Sequence, residues 1–181
     1  PAPFFVLATQ NPIEQAGTYP LPEAQLDRFL LHVLVDYPSE DEERRILEQT
    51  TGGAAEAVPQ VMDADAVIAL QAAVRQVHVS PDVLAWITRL VRASRPGEGA
   101  PAAINQWVKW GAGPRAGQSL VLAAKARALL QGRFAATRED VQALAAPVMR
   151  HRLLLSFTAE AEQKRADDVV AALLQAVPFP G

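Results

Sequence analysis

Cysteine is absent from the 181 residues, which excludes disulfide staples and thiolate metal sites. That absence is compatible with a reducing cytoplasm, the expected location. The three histidines, His32, His78 and His151, stand apart, with no second histidine or carboxylate at metal-ligand spacing, so no metal site is expected. No apolar run approaches the roughly 20 residues that cross a bilayer. The opening Pro-Ala-Pro-Phe-Phe lacks the positive n-region of a signal peptide. Positive charge is not in excess: 17 Lys and Arg face 20 Asp and Glu, a net charge of −3, without the basic stripe of a nucleic-acid binder. The phosphate-cradling pattern Gly-x-x-x-x-Gly-Lys-Ser/Thr is missing, as is a strand ending in paired acids for magnesium. There is no internal repeat, and the compositional bias is toward alanine alone.

What is present can bury a substantial core, since half of the residues are apolar. The length suits one domain, or a small domain with part of another. These totals predict a soluble, α-rich, intracellular chain. A start at Pro1 without methionine fits a piece of a larger protein.

The run Phe4 to Leu7, followed by Ala8-Thr9-Gln10-Asn11-Pro12, reads as a buried strand of a parallel sheet. Such a strand delivers a polar side chain to the carboxyl edge, where open α/β sheets bind ligands. Leu30 to Val35 reads as a second strand. Between them, Pro12, Gly17, Pro20 and Pro22 mark turns, and a short helix is predicted from Glu23 to Phe29 with Pro22 at its first position. Beyond Tyr37-Pro38 the pattern turns helical. Ser39 and Glu42 form a capping box, and Glu40/Arg44 and Asp41/Arg45 are spaced as i,i+4 ion pairs. Thr51 to Gln60 reads as a linker.

Helices are then predicted from about Asp63, from Ser80-Pro81, from Pro114 to near Gly132, after Thr137, and from about Arg165 to Val177. Arg95 to Pro101 is a loop, and the stretch through Trp107 and Trp110 is ambiguous, with both indoles expected in packing. The expected fold is mostly α: two strands, then a helical bundle.

Three polar residues stand where patterns end. Asn11, at a strand's carboxyl end, could orient a water beside a phosphate without adding charge; alone it also reads as an Asn-Pro turn. Arg28 could reach a transition-state phosphoryl group in another subunit, a contact worth roughly 10³–10⁵ in rate; alone it also reads as half of a surface ion pair. Arg115 follows Gly111-Ala112-Gly113-Pro114, which puts a cation at the second position of a helix. There it adds to the positive end of the dipole, a combination that suits a polyphosphate. Arg150-His151-Arg152 is read as capping the end of the preceding helix.

Taken together, Ala8-Thr9-Gln10-Asn11-Pro12, Leu21-Pro22-Glu23-Ala24-Gln25-Leu26-Asp27-Arg28-Phe29 and Gly113-Pro114-Arg115-Ala116 resemble the MoxR family of AAA+ ATPases. The likeness continues through Gly132-Arg133, Glu139-Asp140-Val141 and Arg150-His151-Arg152. One departure is Gly113, where the family often carries serine before the Pro-Arg pair.

The resemblance implies two catalytic residues, Asn11 as sensor 1 and Arg28 as the arginine finger acting on a neighbour's ATP. It makes Arg115 the nucleotide-binding sensor 2. Residues 1–36 would be the end of the α/β core, 37–60 a connecting helix and linker, and 61–181 the helical lid. It further implies ATP and Mg2+ in the full-length protein, a homo-oligomeric ring, expected to be a hexamer, and client proteins, including ones with von Willebrand factor A-type domains. Without a phosphate loop the 181 residues themselves are expected to be inactive. The alternative is a free-standing helical interaction module without catalysis.

Overall fold

The computed structural model describes residues 2–10, 21–53 and 58–180. Its first regular element is α1 (Glu23–Leu26), one turn long, with Pro22 as N-cap rather than first helical residue. The two expected strands carry no ladder among the described residues. Phe4 is 83% and Val35 91% exposed. A strand needs a neighbouring strand to satisfy its N–H and C=O groups in a ladder, and no described strand lies beside either run.

Helix α2 (Glu40–Thr51) starts at the expected capping box: Ser39 N–H donates to Glu42 Oε2 at 2.8 Å. Its ion pair differs from expectation, running from Arg44 to Asp41 at i,i+3 and 2.8 Å. On an exposed helix the long guanidinium can serve either neighbour at little cost. Helix α3 (Ala64–Gln76) is capped by Asp63, whose Oδ1 accepts from Ala66 N–H at 2.8 Å. Strand β1 (His78–Val79) follows, and Ser80 then caps α4 (Pro81–Ala93) with proline in the first turn. The apolar stripe of α4 buries Val83, Trp86, Ile87, Leu90 and Val91.

After the 95–101 loop come α5 (Ala102–Trp107) and β2 (Val108–Trp110), which resolve the ambiguous stretch as helix then strand. Trp107 packs as expected, donating to Glu162 Oε2 at 2.8 Å beneath the Lys164 ammonium. Trp110 does not: it is 73% exposed.

Helix α6 (Pro114–Leu130) runs through the centre and packs against α3, α4 and α7. Its buried positions are mostly alanine, which lets neighbouring backbones approach closely. It ends at Gly132, in the left-handed region at φ 71°, with Arg133 N–H reaching back to Ala128 O at 2.8 Å.

Strand β3 (Ala135–Ala136) pairs in parallel with β1. Helix α7 (Arg138–Met149) begins at the expected Thr137/Asp140 capping box. Then β4 (Leu154–Leu155) pairs antiparallel with β2, and α8 (Phe157–Ala161) and α9 (Ala166–Ala176) complete the order. Helix α9 closes the core against α4, α5 and α7. The tail beyond it covers α4, where Trp86 Nε1 donates to Val177 O at 2.7 Å.

Asp140 does more than cap. Fully buried, it accepts from Arg127 Nη1 (2.5 Å), from Arg133 Nη2 (2.6 Å) and from Thr137 N–H (2.8 Å). Burial alone would raise its carboxyl, but these donors outweigh burial and hold it well below the usual carboxylate range.

Candidate functional site

The strongest polar cluster joins the segment after α1 to the start of α6 and the 3₁₀ turn Arg150–Arg152. Gly113 caps α6 without a side-chain bond, leaving its first N–H groups free of side-chain partners among the described residues. Arg115, in the first turn of α6, reaches Asp27 Oδ2 at 2.6 Å with its own side chain 48% exposed. The other Asp27 oxygen, Oδ1, accepts from Arg152 Nε at 3.0 Å. Arg28 follows immediately, exposed, and forms no ion pair with any described residue.

Arg152 is the anchor, with only 1% of its side chain exposed. It donates to the carbonyls of Asp27 (2.9 Å), Phe29 (2.6 Å), Leu30 (3.4 Å) and Val148, and to Ser119 Oγ (3.1 Å). Burial pulls its pKa down and the Asp27 carboxylate opposes that pull. A guanidinium stays cationic in either case. Arg150 lies beside it, bidentate to Asp167 at 2.9 Å through both contacts and donating to His32 O at 2.8 Å. His32 N–H in turn donates to Pro147 O at 2.8 Å.

His151 Nε2 lies 3.2 Å from Phe29 O, so this nitrogen carries the proton and donates. Its Nδ1 is buried without a partner among the described residues. Burial, followed by the Arg152 charge, pushes this imidazole down to about 4.

Arg150-His151-Arg152 is therefore not a simple helix cap. The carbonyls it satisfies belong mainly to residues 27–32, more than 100 positions earlier, because that segment lies across the end of α7. No local sequence pattern pairs Asp27 with Arg152, 125 positions away. A buried arginine after a helix was the available sign, but sequence spacing cannot show that the turn is buried.

Of the expected site residues, Arg115 bonds Asp27, the residue before Arg28, whose own side chain bonds neither of them; Asn11 lies outside the described residues. Within the described residues no cluster of three or more His, Cys, Asp or Glu could hold a metal ion. Nor is any helix there long and apolar enough to cross a membrane.

The model of the AAA lid domain matches residues 101–173, and that of the ATPase family associated with various cellular activities (AAA) matches residues 1–31. Chaperone MoxR1 of Mycobacterium tuberculosis is 38% identical over 181 residues, covering 99% of this chain and 48% of that protein. Protein MoxR of Paracoccus denitrificans is 37% identical over 193 residues, covering 97% of this chain and 56% of its own length. The chain belongs to the MoxR family of AAA+ ATPases.

A crystal structure of a candidate ATPase from Cytophaga hutchinsonii superposes on it with a TM-score of 0.92 at 32% identity, covering 100% of this chain and 56% of the other. The MoxR-type fold is thus a helical lid preceded by part of an AAA+ core. The chain spans about half the length of the MoxR relatives it matches.

Energetics separates the two bonds to Asp27. Removing one partner from a buried ion pair costs about 3–5 kcal/mol, whereas exposed pairs are worth about 0–1 kcal/mol. The many bonds of the buried Arg152 therefore tie residues 27–30 to the end of α7, while the half-exposed Arg115 pair adds little to stability.

Proposed function

We propose that these residues form the lid and core edge of a subunit that hydrolyses ATP and uses the motion to remodel or activate partner proteins. The observation that carries this reading is Arg115: a half-exposed cation in the first turn of α6, paired with Asp27, the residue before Arg28. Such a group can contact a terminal phosphate held by other residues. The uncapped N–H groups at the start of α6 add a favourable dipole.

In this reading residues 1–36 end the α/β core, 37–60 connect, and 61–181 form the lid. Asn11 orients the attacking water, Arg28 stabilises charge on a neighbour's transferring phosphate, and Arg115 senses phosphate in its own subunit. Mg2+ accompanies the nucleotide and is held outside the described residues. Loss of the γ-phosphate removes contacts to all three side chains, so the lid populates a different orientation against the core. A trans-acting Arg28 requires a homo-oligomeric ring, with six subunits as the family expectation. The lid then acts on client proteins, those with von Willebrand factor A-type domains among them, in the cytoplasm and without nucleic acid or membrane.

Arg28→Ala in the full-length protein tests this directly. ATP turnover should be lost, by about 10³-fold or more, while nucleotide binding stays near wild type. Mixing with subunits defective in their own phosphate loop should restore part of the activity. Normal turnover by Arg28→Ala subunits would refute the assignment.

A further inference from the structure

Asp27 has two oxygens facing two arginines of unequal freedom. Oδ1 meets Arg152, which is buried and also bonded to the carbonyls of residues 27, 29 and 30. Oδ2 meets Arg115, which is half exposed and has no other hydrogen-bond partner among the described residues. Arg115 and Ser119 lie one turn apart on α6, and Ser119 Oγ accepts from the same Arg152. The carboxylate thus sits on a platform fixed by Arg152 and faces a guanidinium that can leave.

We propose that Asp27 is a positioning residue that couples Arg115 to Arg28. It holds Arg115 when no terminal phosphate is bound and releases it to that phosphate when one is. Arg28 is the next residue in the same turn, where its N–H donates to Gln25 O at 3.1 Å and Phe29 N–H donates to Leu26 O at 3.0 Å. With Arg115 engaged, two arginines brace that turn; once it leaves, only Arg152 does. The occupancy of one subunit's nucleotide site is thereby transmitted to the arginine presented to the next subunit. This rests on the reading of Arg115 as a phosphate contact given above.

Asp27→Asn keeps an oxygen for Arg152 and removes the charge that competes for Arg115. In the full-length protein it should bind a non-hydrolysable ATP analogue about two- to fivefold more tightly, the span of an exposed ion pair, with ADP affinity unchanged. In an Arg115→Ala background the same substitution should leave analogue affinity where it was. An equal change in both backgrounds, or none in either, overturns the coupling while leaving Arg115 as a phosphate contact.

If Arg115→Ala alone binds the analogue as wild type does, the assignment of Arg115 itself fails, and the coupling with it. Hydrogen exchange in the wild-type protein supplies a second reading should Asp27→Asn fail to fold. The amides of Arg28 and Phe29 should exchange faster with the analogue than with ADP; identical exchange refutes the proposal.

Discussion

Burial around His151 makes the lid sensitive to acid. Its imidazole is held neutral by burial and by the neighbouring Arg152 charge, and its pKa falls from 6.5 to about 4. An unfolded chain takes up that proton near pH 6.5, while the folded one resists until about pH 4. The contribution is therefore complete above about pH 6.5 and lost progressively as pH falls toward 4, a total of at most about 3 kcal/mol and less after solvent screening, because the ring is only half buried. Asp140 belongs to a lower window: its depressed pKa stabilises the fold above the ordinary carboxylate range and is lost only in stronger acid. Urea unfolding at about pH 4.5 and about pH 7 should show the His151 loss, and His151→Gln should flatten it. An unchanged slope in that variant would assign the acid sensitivity to other groups.

At the level of elements, the start of α6 depends on a close backbone approach. A Cβ on Gly111 would lie 2.3 Å from Ser94 O and 2.6 Å from Arg95 Cα, both main-chain atoms that cannot swing aside. Ser94 Oγ meanwhile accepts from Ala112 N–H at 3.0 Å and donates to Val91 O at 2.7 Å, tying the end of α4 to the approach of α6. Gly111→Ala should therefore cost about 1–3 kcal/mol, measured by urea unfolding. The helix starts were legible because caps are local: Ser39 with Glu42, Ser80 with Pro81 and Thr137 with Asp140 each lie within four residues. The short strands β1 to β4, two or three residues each, were not, since their pairing partners lie tens of residues away.

For the molecule as a whole, apolar side chains are unevenly covered. Those of α4, α6, α7 and α9 form one core, while those of residues 4–7 and 30–35 face outward. Residues that sense a phosphate add little affinity by themselves, because each exposed contact is worth only about 0–1 kcal/mol. Calorimetry on the 181 residues alone should detect no ATP binding at micromolar concentration, and phosphate release should stay at background. Turnover by pure protein would contradict the division of labour proposed here.

From its amino acids alone this chain specified its longer helices, the caps that start them and the positions of Arg28 and Arg115 at element ends, because each depends on neighbours within a turn or two. The short α5 and α8 carried no such signal. Extended runs at 4–7 and 30–35 read as strands from composition, yet a ladder depends on partners that periodicity does not reveal. Only the tertiary structure brought Asp27 to Arg152, 125 positions away, and so turned an apparent helix cap into the clasp on which Arg115 closes. Such a pairing is set by how α1, α6 and α7 stack, and no local pattern encodes it.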